Sequence, residues 1–282
     1  MSKLLSKFLE DRIIQASEKY YLSEPIMTDE QFDQLVEELR VENPSSPVLR
    51  QVGWGMKIYK DKVPLPVKIQ HSLPKIQIES VESPPKGLHW KISPKVDGMS
   101  CVLHYQNGVL KQAVTRGDGE FGIDITPKMN RIKIPRTISR VYDVFVRGEL
   151  YINVDVFNLK LSEDYANPRN AVAGIINSKS FDSLEYVDFG AHPQGQIVNL
   201  PESDKILLNM LPTWDGVHIQ DLRACRAKSI DMGFPIDGMV IQGHTDYGLG
   251  KTEESAVAIK FETEAAVTSV ISVDWEKRRE ER

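Results

Sequence analysis

Lys95 and Asp97 stand two positions apart in the stretch Ser93-Pro94-Lys95-Val96-Asp97-Gly98-Met99-Ser100. A lysine amine attacks only when neutral. Its ordinary pKa is roughly 10.4, so a nucleophilic lysine needs burial or a nearby cation to lower that value. Pro94 has no N–H and drives Ser93 into extended geometry, while Gly98 permits close backbone approach or a positive φ. The lysine is therefore expected on a fixed turn between two strands. Alternation along a strand sets Lys95 and Asp97 on one side, with the carboxylate in reach of the amine. Alone, K-x-D-G is a weak signal, because a solvated lysine beside a turn has the same sequence.

The elements that must position this turn follow from periodicity. Runs at 100–105, 109–115, 143–151, 236–242 and 256–261 have strand character, separated by turn signals such as Asn107-Gly108 and Gly117-Asp118-Gly119. Helical patterns fit 153–161 and 219–232. Residues 1–19 place Leu4, Leu5, Phe8, Leu9, Ile13 and Ile14 at helical spacing, and Tyr20-Tyr21 and Pro25 end that helix. Thr28 and Gln31 form the two ends of a capping box that opens a second helix, with Phe32, Leu35, Val36 and Leu39 as its stripe. This hairpin, about 60 residues long, has too little core to stand alone and must pack on a neighbour or a ligand. A proline-bearing connector covers 57–75, and Trp275 to Arg282 has the mixed charge of a solvated tail.

Composition narrows the class. The 282 residues are 41% hydrophobic and 27% charged, an ordinary globular balance for one large domain or two. No apolar run of about 18 residues argues for a membrane span. The start lacks a secretory leader and the only cysteines are Cys101 and Cys225, which together predict a cytoplasmic, reducing location and exclude a four-cysteine zinc site. A net charge of −5 argues against blanket binding to nucleic acid, though not against a local basic face.

Four further stretches give the lysine turn its company: Thr115-Arg116-Gly117-Asp118-Gly119, Arg147-Gly148-Glu149, Asp237-Gly238-Met239-Val240-Ile241 and Ala256-Val257-Ala258-Ile259-Lys260-Phe261. Their order and spacing resemble the nucleotidyltransferase motifs of polynucleotide ligases and capping enzymes. Asn167-Pro168-Arg169-Asn170-Ala171-Val172-Ala173-Gly174 is similar to a signature of NAD-dependent DNA ligases, and Tyr20, Tyr21, Pro25, Asp29, Phe32 and Asp33 resemble that family's own N-terminal helical domain. The resemblance covers about 18–265.

The resemblance implies an α+β chain. A helical hairpin at 1–66 would bind the nicotinamide mononucleotide half of NAD, and an ATP-grasp-like, antiparallel-sheet adenylation domain would span 67–265. Residues 266–282 would form a charged tail or a junction to an OB-fold. It implies that Lys95 takes AMP from NAD with release of nicotinamide mononucleotide, that Asp97 orients the lysine, and that Lys260 and Arg116 neutralise phosphate. Glu149 would hold a ribose hydroxyl. Gln77, Ile78, Gly98 and Asp237 would line the cofactor site, with His192 in place of an adenine-stacking tyrosine. Tyr20, Tyr21, Asp29, Phe32 and Asp33 would hold the nicotinamide half. AMP would pass to the 5′-phosphate of nicked double-stranded DNA, touched by Arg169, with Mg²⁺ assisting.

The chain departs from the family at several points. Ser93 stands where a glutamate reads adenine, Gln242 where a lysine ends the D-G motif, Asn177 where an arginine is expected, and Glu253-Glu254-Ser255-Ala256 where P-R-W-A is expected. The family continues with an OB-fold, a zinc module and helix-hairpin-helix units, so a cut chain or a second, partner chain carrying those units is expected. The alternatives are an ATP-dependent ligase or capping enzyme, against which Asp29 and Asp33 argue, and a catalytically weakened DNA-binding or scaffolding subunit.

Overall fold

Strand β3 (Trp90–Val96) shows how the chain sorts its side chains. Trp90 and Ile92 are wholly buried against Leu222 and Cys225 of helix α6 (Ile219–Asp231). Met239 and Ile241 of β10 (Ile236–Gln242) and Val257 and Ile259 of β11 (Ala256–Lys260) complete that core. The period of two then sends Lys91, Ser93 and Lys95 to the opposite face. Two short strands, β2 (Lys75–Gln77) and β9 (Trp214–Gly216), complete a five-stranded sheet in the order β2-β11-β10-β3-β9. All its pairings are antiparallel except β2 with β11. Strand β9 pairs with β3 only from Trp90 to Ile92, so Pro94 lies past its end and removes no ladder donor on that side.

The computed structural model describes residues 2–21, 26–50, 62–67, 73, 75–81, 89–242 and 256–261. A second sheet is antiparallel throughout, in the order β5-β4-β7-β8: β4 (Met99–Gln106), β5 (Val109–Thr115), β7 (Val144–Tyr151) and β8 (Asp188–Ala191). Cys101, Leu103 and Tyr105 face its core, which helices α3 (Val154–Lys160) and α4 (Pro168–Asn177) help to fill with Phe157, Ala171, Val172, Ile175 and Ile176. Strands β1 (Lys62–Pro64) and β6 (Phe121–Ile123) form a small two-stranded sheet. Helix α5 spans Glu202–Leu207. The architecture is mixed helix and antiparallel sheet, as the α+β reading expects.

The helical hairpin is present as α1 (Ser2–Tyr21) and α2 (Asp29–Glu42), the first helix running two residues past the expected end. The capping box forms in full: Gln31 N–H donates to Thr28 Oγ1 at 3.3 Å, and Thr28 N–H donates to Gln31 Oε1 at 2.9 Å. Leu9, Ile13, Leu39 and Val48 are its small buried centre, with Phe32, Leu35 and Val36 packed against them. Pro25, the 253–255 stretch and the Trp275–Arg282 tail lie outside the described residues, as do the side chains of Tyr20, Tyr21 and Asp29.

Candidate active site

Lys95 sits at the last turn of β3, where the sheet register slips. Gly238 pairs with Lys95 and Ile236 with Val96, leaving Asp237 as an extra residue on β10. Such a bulge re-aims the side chain it carries. Asp237 turns to the face of Lys95, its Oδ1 lying 2.9 Å from Lys95 Nζ, while its Oδ2 accepts from Lys260 Nζ at 2.8 Å. One carboxylate therefore spans two lysines from the two neighbouring strands. Burial alone would raise the Asp237 pKa, but Lys95 and Lys260 outweigh it and hold the carboxyl below its usual range.

Lys95 corrects one expectation. Burial pulls its pKa down, but Asp237 above all, then Asp97 and Glu149, outweigh that, and the net shift is upward. Its contact partner is also Asp237 rather than the expected Asp97. Asp97 lies just past the strand, its N–H donating to Pro235 O at 2.6 Å, and its carboxylate is paired with Arg169.

Arg169 enters through helix-start chemistry. Asn167 caps α4 by accepting from Asn170 N–H at 2.8 Å, Pro168 occupies the first turn, and Arg169 follows it. The guanidinium thus stands among the carboxylates of the lysine site, where burial brings its pKa down to about 10 although Asp237 raises it. The structure places it beside Asp97.

The second sheet supplies the opposite wall. Glu149 pairs with Ser100 on β4 and Gly190 on β8, and its Oε2 is 3.6 Å from His192 Nε2. Gly98 joins the two sheets at a point where only hydrogen fits: a Cβ there would lie 2.1 Å from Leu150 O and 3.0 Å from Glu149 Cγ. Its expected role is met by close approach. Arg116 heads a tight turn whose Gly117 and Gly119 have φ of 54° and 94°, and its N–H donates to Ser100 O at 2.8 Å.

Other expected residues fall elsewhere. Gln77 pairs with Lys260 across β2 and β11, on the site's face. Ile78 is 2% exposed in the core beneath the sheet, so its side chain is withheld from any ligand. Phe32 belongs to the packing of the hairpin, and Asp33 is held by Lys75, a partner that spacing along the chain does not reveal. Ser93 is buried on the Lys95 face opposite Val240, and Gln242 pairs with Lys91, whose amine lies 2.6 Å from Asp215. Asn177 ends α4. Among the described residues, no three acidic, histidine or cysteine side chains gather as a metal site, and no helix is long and apolar enough to cross a membrane.

The arrangement is a half-buried lysine, a carboxylate shared with a second lysine, and a glutamate of the other sheet whose charge acts on the first lysine. The family model of the NAD-dependent DNA ligase adenylation domain matches residues 71–186, which contain Lys95, Asp97, Arg116, Glu149 and Arg169. This stretch is similar to the adenylation domain of NAD-dependent DNA ligases. A DNA ligase of Bacillus velezensis is 28% identical over 94% of this chain and 47% of its own length, and a DNA ligase of Desulforamulus reducens is 30% identical over 89% and 44%. The chain thus spans about half the length of the curated ligases it matches. Among solved structures, a chain from a study of Lig E DNA ligases superposes with a TM-score of 0.42 at 16% identity, covering 68% of this chain and 69% of that one.

Proposed function

We propose that the chain is the adenylation module of an NAD-dependent DNA ligase, built as a nicotinamide-binding hairpin over 1–66 and a nucleotidyltransferase domain over 67–265. The observation that carries the reading is the Lys95–Asp237–Lys260 array, whose Lys95 lies inside the matched ligase region. Lys95 Nζ attacks the α-phosphorus of NAD, and the bond from that phosphorus to the oxygen bridging to nicotinamide mononucleotide breaks. The electron pair departs on the leaving phosphate and the amine proton passes to solvent, leaving a lysine–AMP phosphoramidate. Lys260 neutralises charge at the α-phosphate, and Glu149 accepts from the ribose. AMP then passes to the 5′-phosphate of a DNA nick. Mg²⁺ would be held by substrate phosphates together with one or two carboxylates, for which Asp97 and Glu149 are the candidates, and would supply Lewis-acid stabilisation at the phosphate.

Incubation with adenylate-labelled NAD and, separately, labelled ATP, followed by a denaturing gel, tests this. NAD should label the chain and ATP should not, and Lys95→Ala should abolish the band. Label persisting on the Lys95→Ala chain would place the nucleophile elsewhere. A second reading, a weakened DNA-binding subunit, is favoured by neutral Ser93, Asn177 and Gln242 at positions where the family is charged, and it predicts no label at all. Neither the fold nor the relatives support a separate partner chain.

A further inference from the structure

Lys75 has no place in the array around Lys95, yet it shares its face. Parallel pairing sets Lys75 opposite Ala258 and Gln77 opposite Lys260, while Ile76 between them turns to Ile259 and the core. Lys75 therefore stands one strand over and two residues back from Lys260, with their Cα atoms about 8 Å apart by strand geometry. Its amine donates to both carboxylate oxygens of Asp33 on α2, each at 2.6 Å, across 42 positions of sequence. Both side chains stay exposed, at 42% and 41%, so the pair adds little as a brace between hairpin and sheet.

We propose that Lys75 binds the leaving-group phosphate of the dinucleotide, the one that departs with the nicotinamide half. This rests on the NAD reading above. The α-phosphate belongs between Lys95 and Lys260, and the nicotinamide ribose belongs at the hairpin carboxylates. The phosphate linking the two must lie between these places, where Lys75 touches Asp33 on one side and neighbours Lys260 on the other. An ammonium has three donors, so it can keep Asp33 and still reach a phosphate oxygen. As the bond to the α-phosphorus breaks, its electron pair moves onto that phosphate. A cation fixed there stabilises the transition state more than the ground state. Asp33 holds the amine in position while this happens.

The full chain carrying Lys75→Met or Lys75→Arg decides the matter. The readouts are kcat/KM for lysine adenylation from NAD, and inhibition of that step by nicotinamide mononucleotide and by nicotinamide riboside, which lacks the phosphate. Lys75→Met should lower kcat/KM by about tenfold to a hundredfold. It should also erase the mononucleotide's advantage over the riboside, while Lys75→Arg retains most of both. An unchanged preference for the mononucleotide in Lys75→Met overturns the proposal, even if adenylation slows. A mere tie between hairpin and sheet would weaken both inhibitors alike and lower Tm. Failure of the unaltered chain to take AMP from NAD would bring down the NAD reading and this one together, and is told apart because it needs no variant.

Discussion

Lys95 is held in the state that cannot attack. Three carboxylates outweigh its burial, so its folded pKa lies above the ordinary value and it carries less neutral amine at neutral pH than a free lysine. The sign follows directly. The rate of lysine–AMP formation should climb as pH rises above neutrality, because each step upward enlarges the neutral fraction. Asp237→Asn removes the largest upward pull and should move that rise toward lower pH, measured as the pH profile of single-turnover adenylation. A profile that stays where it was would mean that Asp237 does not govern the amine. The same ion pair contributes stability that is fully present below the unfolded lysine pKa and is lost as pH climbs through the raised folded value.

At the scale of elements, α4 is positioned from both ends, and only one end was legible. Asn167-Pro168 announces a helix start, and the family resemblance drew attention to Arg169, but neither placed the guanidinium on Asp97, since 72 positions separate the two. The other end is pinned by Lys128, whose buried amine donates to Ile175 O at 3.0 Å, to Ser178 O and to Ser180 O at 3.3 Å. No local pattern marks a lysine as a helix-end peg 47 residues away. Lys128→Met should destabilise the chain by about 1.5–3 kcal/mol, the worth of hydrogen bonds to a charged group, read from urea unfolding. The strands around the site were legible because their alternation is local: 236–242 was expected and found, and 143–151 was off by one residue. The bulge at Asp237 was not, because a register slip depends on both partners of a pair. Sequence spacing therefore did not reveal the carboxylate that forms the ion pair with Lys95.

At the scale of the whole molecule, charge limits what the chain can grip. Duplex DNA is bound chiefly through phosphate contacts from lysine and arginine, and this chain carries −5 overall while engaging Arg169, Lys95 and Lys260 with its own carboxylates. Sealing of a nicked duplex by this polypeptide should therefore be detectable at low salt and fall steeply between about 50 and 200 mM, whereas self-adenylation should change little. Parallel loss of both steps with salt would refute the charge argument. The bulge on β10 also sets how far the fold depends on its chemistry. Gly238 and Met239 pair regularly with Lys95 and Pro94, and Ile236 meets Val96, so Asp237 is the one residue the ladder does not use. Omitting that single codon would leave β10 in an unbroken register, with the same apolar residues facing the same core. The two lysines would lose the anion they share. A lineage could thus discard the proposed chemistry of this protein in one step and keep its shape, and a chain of this outline would not by itself reveal which had happened.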